Sequence, residues 1–491
     1  MPGAMDDPIG VEFGQFEVTL VARDGFLESF DVVAWHIADH ITSPLPGLVI
    51  VIGPGRAGTH PAEFPPLHGL DTGDLFQNGF RIELGFHRVI YRLLYTMMTT
   101  PNNPARRSPS LLTHFQDLSD PRVNRTKDHD LIDVLVIAIC TLLCAGESFN
   151  DMEDFGRAKL DWFKTFLALR NGIPSHDTFN RVFAALDPKG FLDCFLRWTQ
   201  SVRQAVPQEI VALDGKALRR ALDKDQSIQY IVSAWAESNG LVLGQLKVAD
   251  KSNEITAVPE LLRVLELAGC IVTLDAMGCQ KKIAKEIVEA DADYVLALKG
   301  NQERVHEEVK SFLDALLEER KRKVPKGALI PKEVATLNEF ETVEKDHGRM
   351  ETRRYYQSDY LDWFADKAKW EGLGSVGLVE SLREINGTVT LERRYYLSSL
   401  KLDVQTFARA VRGHWGVENK LHWVMDVCFR EDQSRAREGY AAENLATLRR
   451  LALNLLKREK TKKRGIRGKM LNAGWDHPYL LRLLGVEPKE I

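Results

Sequence analysis

Several features that would assign a class at once are missing from this chain of 491 residues. It has no run of about eighteen apolar residues, which excludes an ordinary membrane-spanning helix. The early apolar stretch at residues 45–52 (LPGLVIVI) is too short to cross a bilayer and lies behind acidic residues, unlike a secretory signal. A GxSxG elbow, a Walker phosphate loop and an HExxH helix are all lacking, which removes the commonest hydrolase classes. Cysteine is sparse: Cys140, Cys144, Cys194, Cys270, Cys279 and Cys428 are scattered, mostly in apolar runs, and read as reduced core residues. Cys140 and Cys144 stand about one helical turn apart, but no second Cys or His pair follows at zinc-site spacing. Nothing targets the chain elsewhere, so the cytoplasm is its expected location. Nor is there an excess of charge. A formal net charge of −4 argues neither for nor against nucleic acid, because local basic surface decides that.

Lysine is absent before Lys127 although it is frequent afterwards, and the leading residues are rich in Gly, Pro and His (GPGRAGTHPAEFPPLHG). Residues 1–105 therefore read as an atypical N-terminal extension, and a protein that began at Met97 would make residues 1–96 non-native. With 44% hydrophobic and 27% charged residues, the whole is a globular chain of two to four domains.

Residues 106–205 carry helical code. LIDVLVIAICTLLCAG is a buried-helix run, and SHDTFNRVFAAL follows a turn, NGIP, that ends any helix before it. A compact helical domain is expected, with the helix at 175–186 a candidate for DNA contact in a helix-turn-helix, although such pairs are common in bundles that never touch DNA. From Glu209 the code alternates: EIVALDG, IQYIVSAWA and LVLGQLKVAD, then helix, IVTLDA, helix and DYVLALKG. The order βββαβαβ predicts an α/β fold of the RNase H-like kind, a mixed sheet with flanking helices over residues 206–456. A charged helix at 302–323 leads into a strand-like stretch, 325–402, read as a β-rich insertion, and two amphipathic helices follow Val404. The tail at 457–491 begins with eight Lys or Arg among the thirteen positions 457–469; it is read as a DNA backbone contact, with a solvated tail as the bland alternative.

Asp214 follows the apolar strand IVAL and Asp275 follows IVTL. A carboxylate where a buried strand ends sits at the sheet rim, and two on adjacent strands can converge on a divalent cation. Either alone is explained as well by a turn or a helix cap. A third ligand is offered by VRGHWGVENKLHWVMDV, in which Glu418 and His422, four apart, share a helix face beside Trp415, Asn419 and Trp423. The tryptophans are expected in the core and Glu418 at the metal, with Asp426, Glu431 and Asp432 as alternative third carboxylates.

The segments ALDGKALRRA, VTLDAMGCQKKIAKEIVEADADYVLALKGNQ, HGRMETRRYY and HWGVENKLHWVMDVCFREDQSRAREGYAAENLATLRRLALNLL resemble the H-repeat-associated family of bacterial insertion-sequence transposases, within the DDE group. The resemblance spans roughly residues 111–456. It implies that Asp214, Asp275 and Glu418 bind two Mg²⁺ or Mn²⁺ ions, which activate the attacking oxygen and stabilise the leaving one. It also implies cleavage of double-stranded DNA at element ends and strand transfer into target DNA, by a homodimer that holds both ends. The Tyr, Arg and Lys that surround the final Glu in related transposases are here Val411, His414 and Met425, so Arg412, His414 or Lys420 must hold DNA instead. Shared KGNQ and HGR strings mark Lys299, Asn301, His347 and Arg349 as further DNA contacts, with Lys216, Arg219 and Arg220 beside Asp214. The alternatives are a catalytically silent DNA-binding descendant and an RNase H-like nuclease.

Overall fold

The computed structural model describes residues 16–22, 48–54 and 111–486, without 124, 126, 223–227, 249–253, 322–335, 347–348 and 386. The chain divides into two compact units, Met1–Ala105 and Arg106–Ile491. In the first, β1 (Phe16–Ala22) pairs antiparallel with β2 (Leu48–Pro54).

The second unit opens with helices. α1 (Leu131–Leu143) is apolar on every side and nearly all of its residues are buried, so it forms a central helix. α2 (Phe149–Ala158) starts at a capping box in which Ser148 and Asp151 satisfy each other's backbone N–H groups. The short α3 (Leu160–Phe163) follows. Gly172 then turns the chain at φ +74°, and α4 (His176–Ala185) and α5 (Pro188–Val202) begin at the caps Ser175 and Asp187.

Three antiparallel strands come next, β3 (Ile210–Leu222), β4 (Ile228–Ala236) and β5 (Leu241–Val248). α6 (Glu254–Val264) and α7 (Lys281–Glu289) bring in β6 (Ile271–Leu274) and β7 (Asp293–Leu298), both parallel in sense to β3. β6 is short, apolar but for Thr273, and wholly buried, as a central parallel strand covered on both faces should be. α8 (Glu303–Lys321) lays Val305, Val309, Leu313, Leu316 and Leu317 into the core beside it.

The stretch expected as a β-rich insertion continues the sheet. It forms a meander, β8 (Asn338–Asp346), β9 (Arg349–Ser358), β10 (Ser375–Ile385) and β11 (Thr388–Ser398), whose last strand pairs antiparallel with β7. One sheet of nine strands results among the described residues, in the order β5-β4-β3-β6-β7-β11-β10-β9-β8. The physical reason is the edge of β7: without β11 its backbone groups would lie open, and the buried Tyr395, Tyr396 and Leu397 make β11 a strand that can cover them.

α9 (Val404–Gly416) passes through a π-helical turn, Val417–His422, into α10 (Trp423–Val427). α11 (Ala441–Arg458), α12 (Ile466–Trp475) and α13 (His477–Leu484) complete the unit. The expected basic tail is therefore a folded part of the structure: Met470, Ala473, Tyr479, Leu480, Leu483 and Leu484 belong to the same core as α1, α4, α5 and α11. That core also takes Ala212 of β3, while Val211 and Leu213, on the opposite face, pack with α6, α7 and α8. No described helix is long and apolar enough to cross a membrane, and the six cysteines are unpaired.

Candidate active site

Parallel pairing of β3 with β6 runs from Ile210↔Ile271 to Leu213↔Leu274, so Asp214 and Asp275 occupy the next position on neighbouring strands. Only Asp275 stands at a strand end. β3 continues to Leu222 because β4 still pairs with it on the other side, Asp214 opposite Ser233. Asp275 Oδ1 accepts the backbone N–H groups of Met277 at 3.0 Å and Gly278 at 3.3 Å, a local turn that leads into α7. Asn301 supports this turn, its side-chain amide donating to the Ala276 carbonyl, and Gln302 donates to the Cys279 carbonyl at 3.1 Å.

Glu418 reaches the same rim from the π-turn, an irregularity that re-aims side chains and is frequent at functional sites. His422, at the other end of that turn, is only 4% exposed. Its Nδ1 lies 3.3 Å from Glu418 Oε2 and 3.5 Å from Asp214 Oδ2. One donor atom from each of Asp214, Glu418 and His422 therefore lies within 4.8 Å of the others. Burial raises the pKa of Asp214, the neighbouring Asp275 and Glu418 add to the rise, and His422 opposes it. The hydrogen bond with His422 lowers that of the exposed Glu418. Sequence reading treated His422 only as a face-mate of Glu418, and its i, i+4 position was the available signal.

The other candidate residues divide by what holds them. Lys216 is 7% exposed and turned inward, its Nζ 2.7 Å from Asp426 and 2.8 Å from Asp432. Burial alone would lower its pKa, but Glu431, Asp426 and Asp432 raise it on balance. Its charge is therefore taken up by these carboxylates and not presented to solvent, where a DNA contact was expected. The same contacts commit the three alternative carboxylates: Glu431 pairs with the fully buried Arg450 at 2.7 Å, and Asp432 also takes the exposed Arg219 at 3.3 Å. Nor does His414 offer a cation. Its Nδ1 lies 3.0 Å from Thr273 Oγ1, and burial pushes its pKa down to about 4.

Arg412 grips Glu344 of β8 through two contacts of 3.2 and 3.1 Å, and Lys420 pairs with Glu237. Arg220 is exposed. Lys299 is exposed where β7 ends, the first residue of the KGNQ string. His347 and the side chain of Arg349 lie outside the described residues. Trp415 and Trp423, expected in the core, are 41% and 57% exposed. The buried faces of this helix are taken by Phe407, Ala410, Val411, Leu421 and Met425, which leaves the tryptophans outside. Trp415 stacks under the Arg394 guanidinium, 5.1 Å from its ring centre.

The family model described as Transposase DDE domain matches residues 207–455, which contain this whole cluster, and the one described as DDE_Tnp_1-associated matches residues 112–199. The chain belongs to the DDE transposase family. It is 38% identical to the H repeat-associated putative transposase YhhI of Escherichia coli (strain K12) over 381 residues, 76% of this chain and 97% of that one. The putative transposase YncI of Escherichia coli O157:H7 is likewise 38% identical, over 76% of this chain and 94% of its own length. The inactive transposase YbfQ of Escherichia coli (strain K12) is 39% identical over 72 residues, 15% of this chain and 86% of that one. Among solved structures, the piggyBac transposase synaptic complex with hairpin DNA aligns over 74% of this chain and 75% of that one, at 12% identity and a TM-score of 0.36. That likeness is too remote to bear on the fold.

Proposed function

We propose that this protein is an active DNA transposase, which cleaves double-stranded DNA at the ends of its own element and joins the freed 3′ ends to target DNA. The observation that carries the proposal is the convergence at one rim of Asp214, in register with Asp275, and Glu418, brought to Asp214 by the π-turn. Hard carboxylate oxygens are the donors that Mg²⁺ and Mn²⁺ prefer, so the residues present fit such ions. When bound, a pair of these ions supplies an activated attacking oxygen and a stabilised leaving oxygen for in-line displacement.

The protein's own part is position. The β3–β6 ladder sets the spacing of the two aspartates, the two backbone N–H groups orient Asp275, and His422 holds Glu418 towards Asp214. Lys299, exposed where β7 ends, and the exposed Arg219 after Asp214 are cations that could meet phosphate, and Arg412 and Lys420 would reach it by exchanging their carboxylate partners for it. Lys460, Lys462, Lys463, Arg464 and Arg467, exposed between and at the start of α11 and α12, add a basic surface that would hold DNA without reading its sequence. Two ends must be held together for joining, which calls for a homodimer on DNA.

The test uses a labelled duplex bearing the terminal repeats that flank the gene, with Mg²⁺, Mn²⁺ or EDTA. Metal-dependent nicking at the repeat is expected, lost in Asp214→Asn, Asp275→Asn and Glu418→Gln separately, with DNA binding kept. A variant that cleaves normally removes its residue from the assignment. Tight binding by the unaltered protein without cleavage makes it a silent DNA-binding descendant.

A further inference from the structure

We infer that His422 is a direct metal ligand, so that Asp214, Glu418 and His422 form a mixed oxygen and nitrogen donor set that holds Mn²⁺ in strong preference to Mg²⁺. The inference rests on the reading of Asp214 and Glu418 as metal-binding carboxylates and adds the imidazole to them.

Three features of the ring carry it. First, His422 is buried on the helix that delivers Glu418, and its Nδ1 points between the two carboxylates, 3.3 Å from one and 3.5 Å from the other. Both separations are long against the usual N–H···O distance of about 2.9–3.0 Å. They match the spacing of roughly 3.0–3.5 Å between neighbouring donors around a cation with bonds near 2.1 Å. Second, the buried Nδ1 has only these two long contacts where a buried polar ring normally finds good partners for its nitrogens, and a cation there would give it a strong one; Nε2, buried without a hydrogen-bond partner, would then carry the ring proton. Third, the helix departs from α-geometry over Val417–His422, the interval between the two donors, so the irregular turn sets Glu418 and His422 against the same point on β3.

The choice of metal follows from ligand chemistry. Mg²⁺ prefers an all-oxygen shell and gives up water reluctantly, whereas imidazole is a good ligand for first-row transition ions. An imidazole replacing one oxygen donor therefore shifts the site from Mg²⁺ towards Mn²⁺ and the ions beyond it in the affinity series. Zn²⁺ would bind tighter still and compete with Mn²⁺.

The test reads metal rather than activity. Mn²⁺ is titrated into the full chain without DNA and followed by the loss of its free six-line electron paramagnetic resonance signal, with Mg²⁺ as competitor. His422→Ala and His422→Asn should weaken Mn²⁺ by at least the ten- to hundredfold that losing even an outer-shell partner costs, about 1.4–2.7 kcal/mol. Mg²⁺ affinity should move by less than about threefold, which collapses the preference. Electron spin echo modulation of the Mn²⁺-loaded unaltered protein should show coupling to an imidazole nitrogen, absent in both variants. No nitrogen coupling in the unaltered protein overturns the inference even if the variants fail to fold. Unchanged Mn²⁺ affinity in the variants overturns it as well. If Asp214→Asn also leaves Mn²⁺ binding intact, the carboxylate reading itself has failed; if Asp214→Asn abolishes binding while the His422 variants do not, only the role of His422 falls.

Discussion

Removing the carboxylate of Glu431 should be among the most damaging single changes in the second unit. Glu431 and Arg450 are both fully buried and paired at 2.7 Å, and Lys216 Nζ stands 3.9 Å from the same carboxylate. Arg450 also donates to Ser233 Oγ at 3.2 Å and to the Ala446 carbonyl at 3.1 Å, which ties α11 to the middle of the sheet. Glu431→Ala strands a buried guanidinium with no counter-charge, a loss worth about 3–5 kcal/mol, because the desolvation cost stays while the attraction goes. A unit of this length has an unfolding entropy of about 0.8 kcal/mol per degree, so the melting temperature should fall by about 4–6 °C. Circular dichroism during thermal unfolding at pH 7, together with urea midpoints, measures both quantities. Desolvation offsets much of the attraction within a buried pair, so Glu431→Leu with Arg450→Met should lose less than Glu431→Ala alone. A loss under about 1 kcal/mol for Glu431→Ala, or a double variant as unstable as the two single changes added together, would refute this account of the network.

Three further outcomes are expected. Because burial pushes the pKa of His414 from 6.5 down to about 4, the unfolded chain binds a proton in that interval that the folded protein refuses. Stability should therefore fall as pH drops from 6.5 to 4, and His414→Gln should flatten the slope of stability against pH there by up to about 1.4 kcal/mol per pH unit; an unchanged slope disproves it. A Cβ at Gly377 of β10 would collide with the Phe407 ring of α9, so Gly377→Ala should cost about 1–3 kcal/mol in urea unfolding and weaken Mn²⁺ binding by shifting the helix that leads to Glu418. Stability within about 0.5 kcal/mol of the unaltered protein would show that the helix has room to move. Replacing Lys460, Lys462 and Lys463 by Gln should weaken DNA binding alike for all sequences and reduce the salt slope by about 2–3, with no change in melting temperature; an unaltered slope removes this surface from the DNA contact.

Much of the second unit was legible without coordinates. Strand and helix order from Glu209 to Lys321 could be read from apolar runs and breakers because these are local signals, set by each residue's own side-chain period. The two aspartates stood out because each follows a short, mostly apolar run, IVAL or IVTL, and Glu418 because a carboxylate is conspicuous in a helix otherwise so apolar. Residues 325–402 show where such reading stops. Their alternation announces strands, but whether those strands form a separate module or extend an existing sheet depends on which edge is free to pair, and β7 lies far away in sequence.

The sequence by itself determined the elements, the family and the carboxylates worth testing, because periodicity and short motifs are properties of neighbouring residues. Only the tertiary structure decided which charges are available. Lys216 and Arg219 look alike in the sequence and follow the same aspartate. The fold buries the first among Asp426, Glu431 and Asp432 and leaves the second on the surface. Likewise Trp415 and Trp423 are outside because other residues had already filled the buried faces of their helix, and His422 stands beside Asp214 and Glu418 because a π-turn aimed it there. Lys216 meets Asp432 across 216 positions of chain, and long-range packing, not local pattern, chooses such a partner.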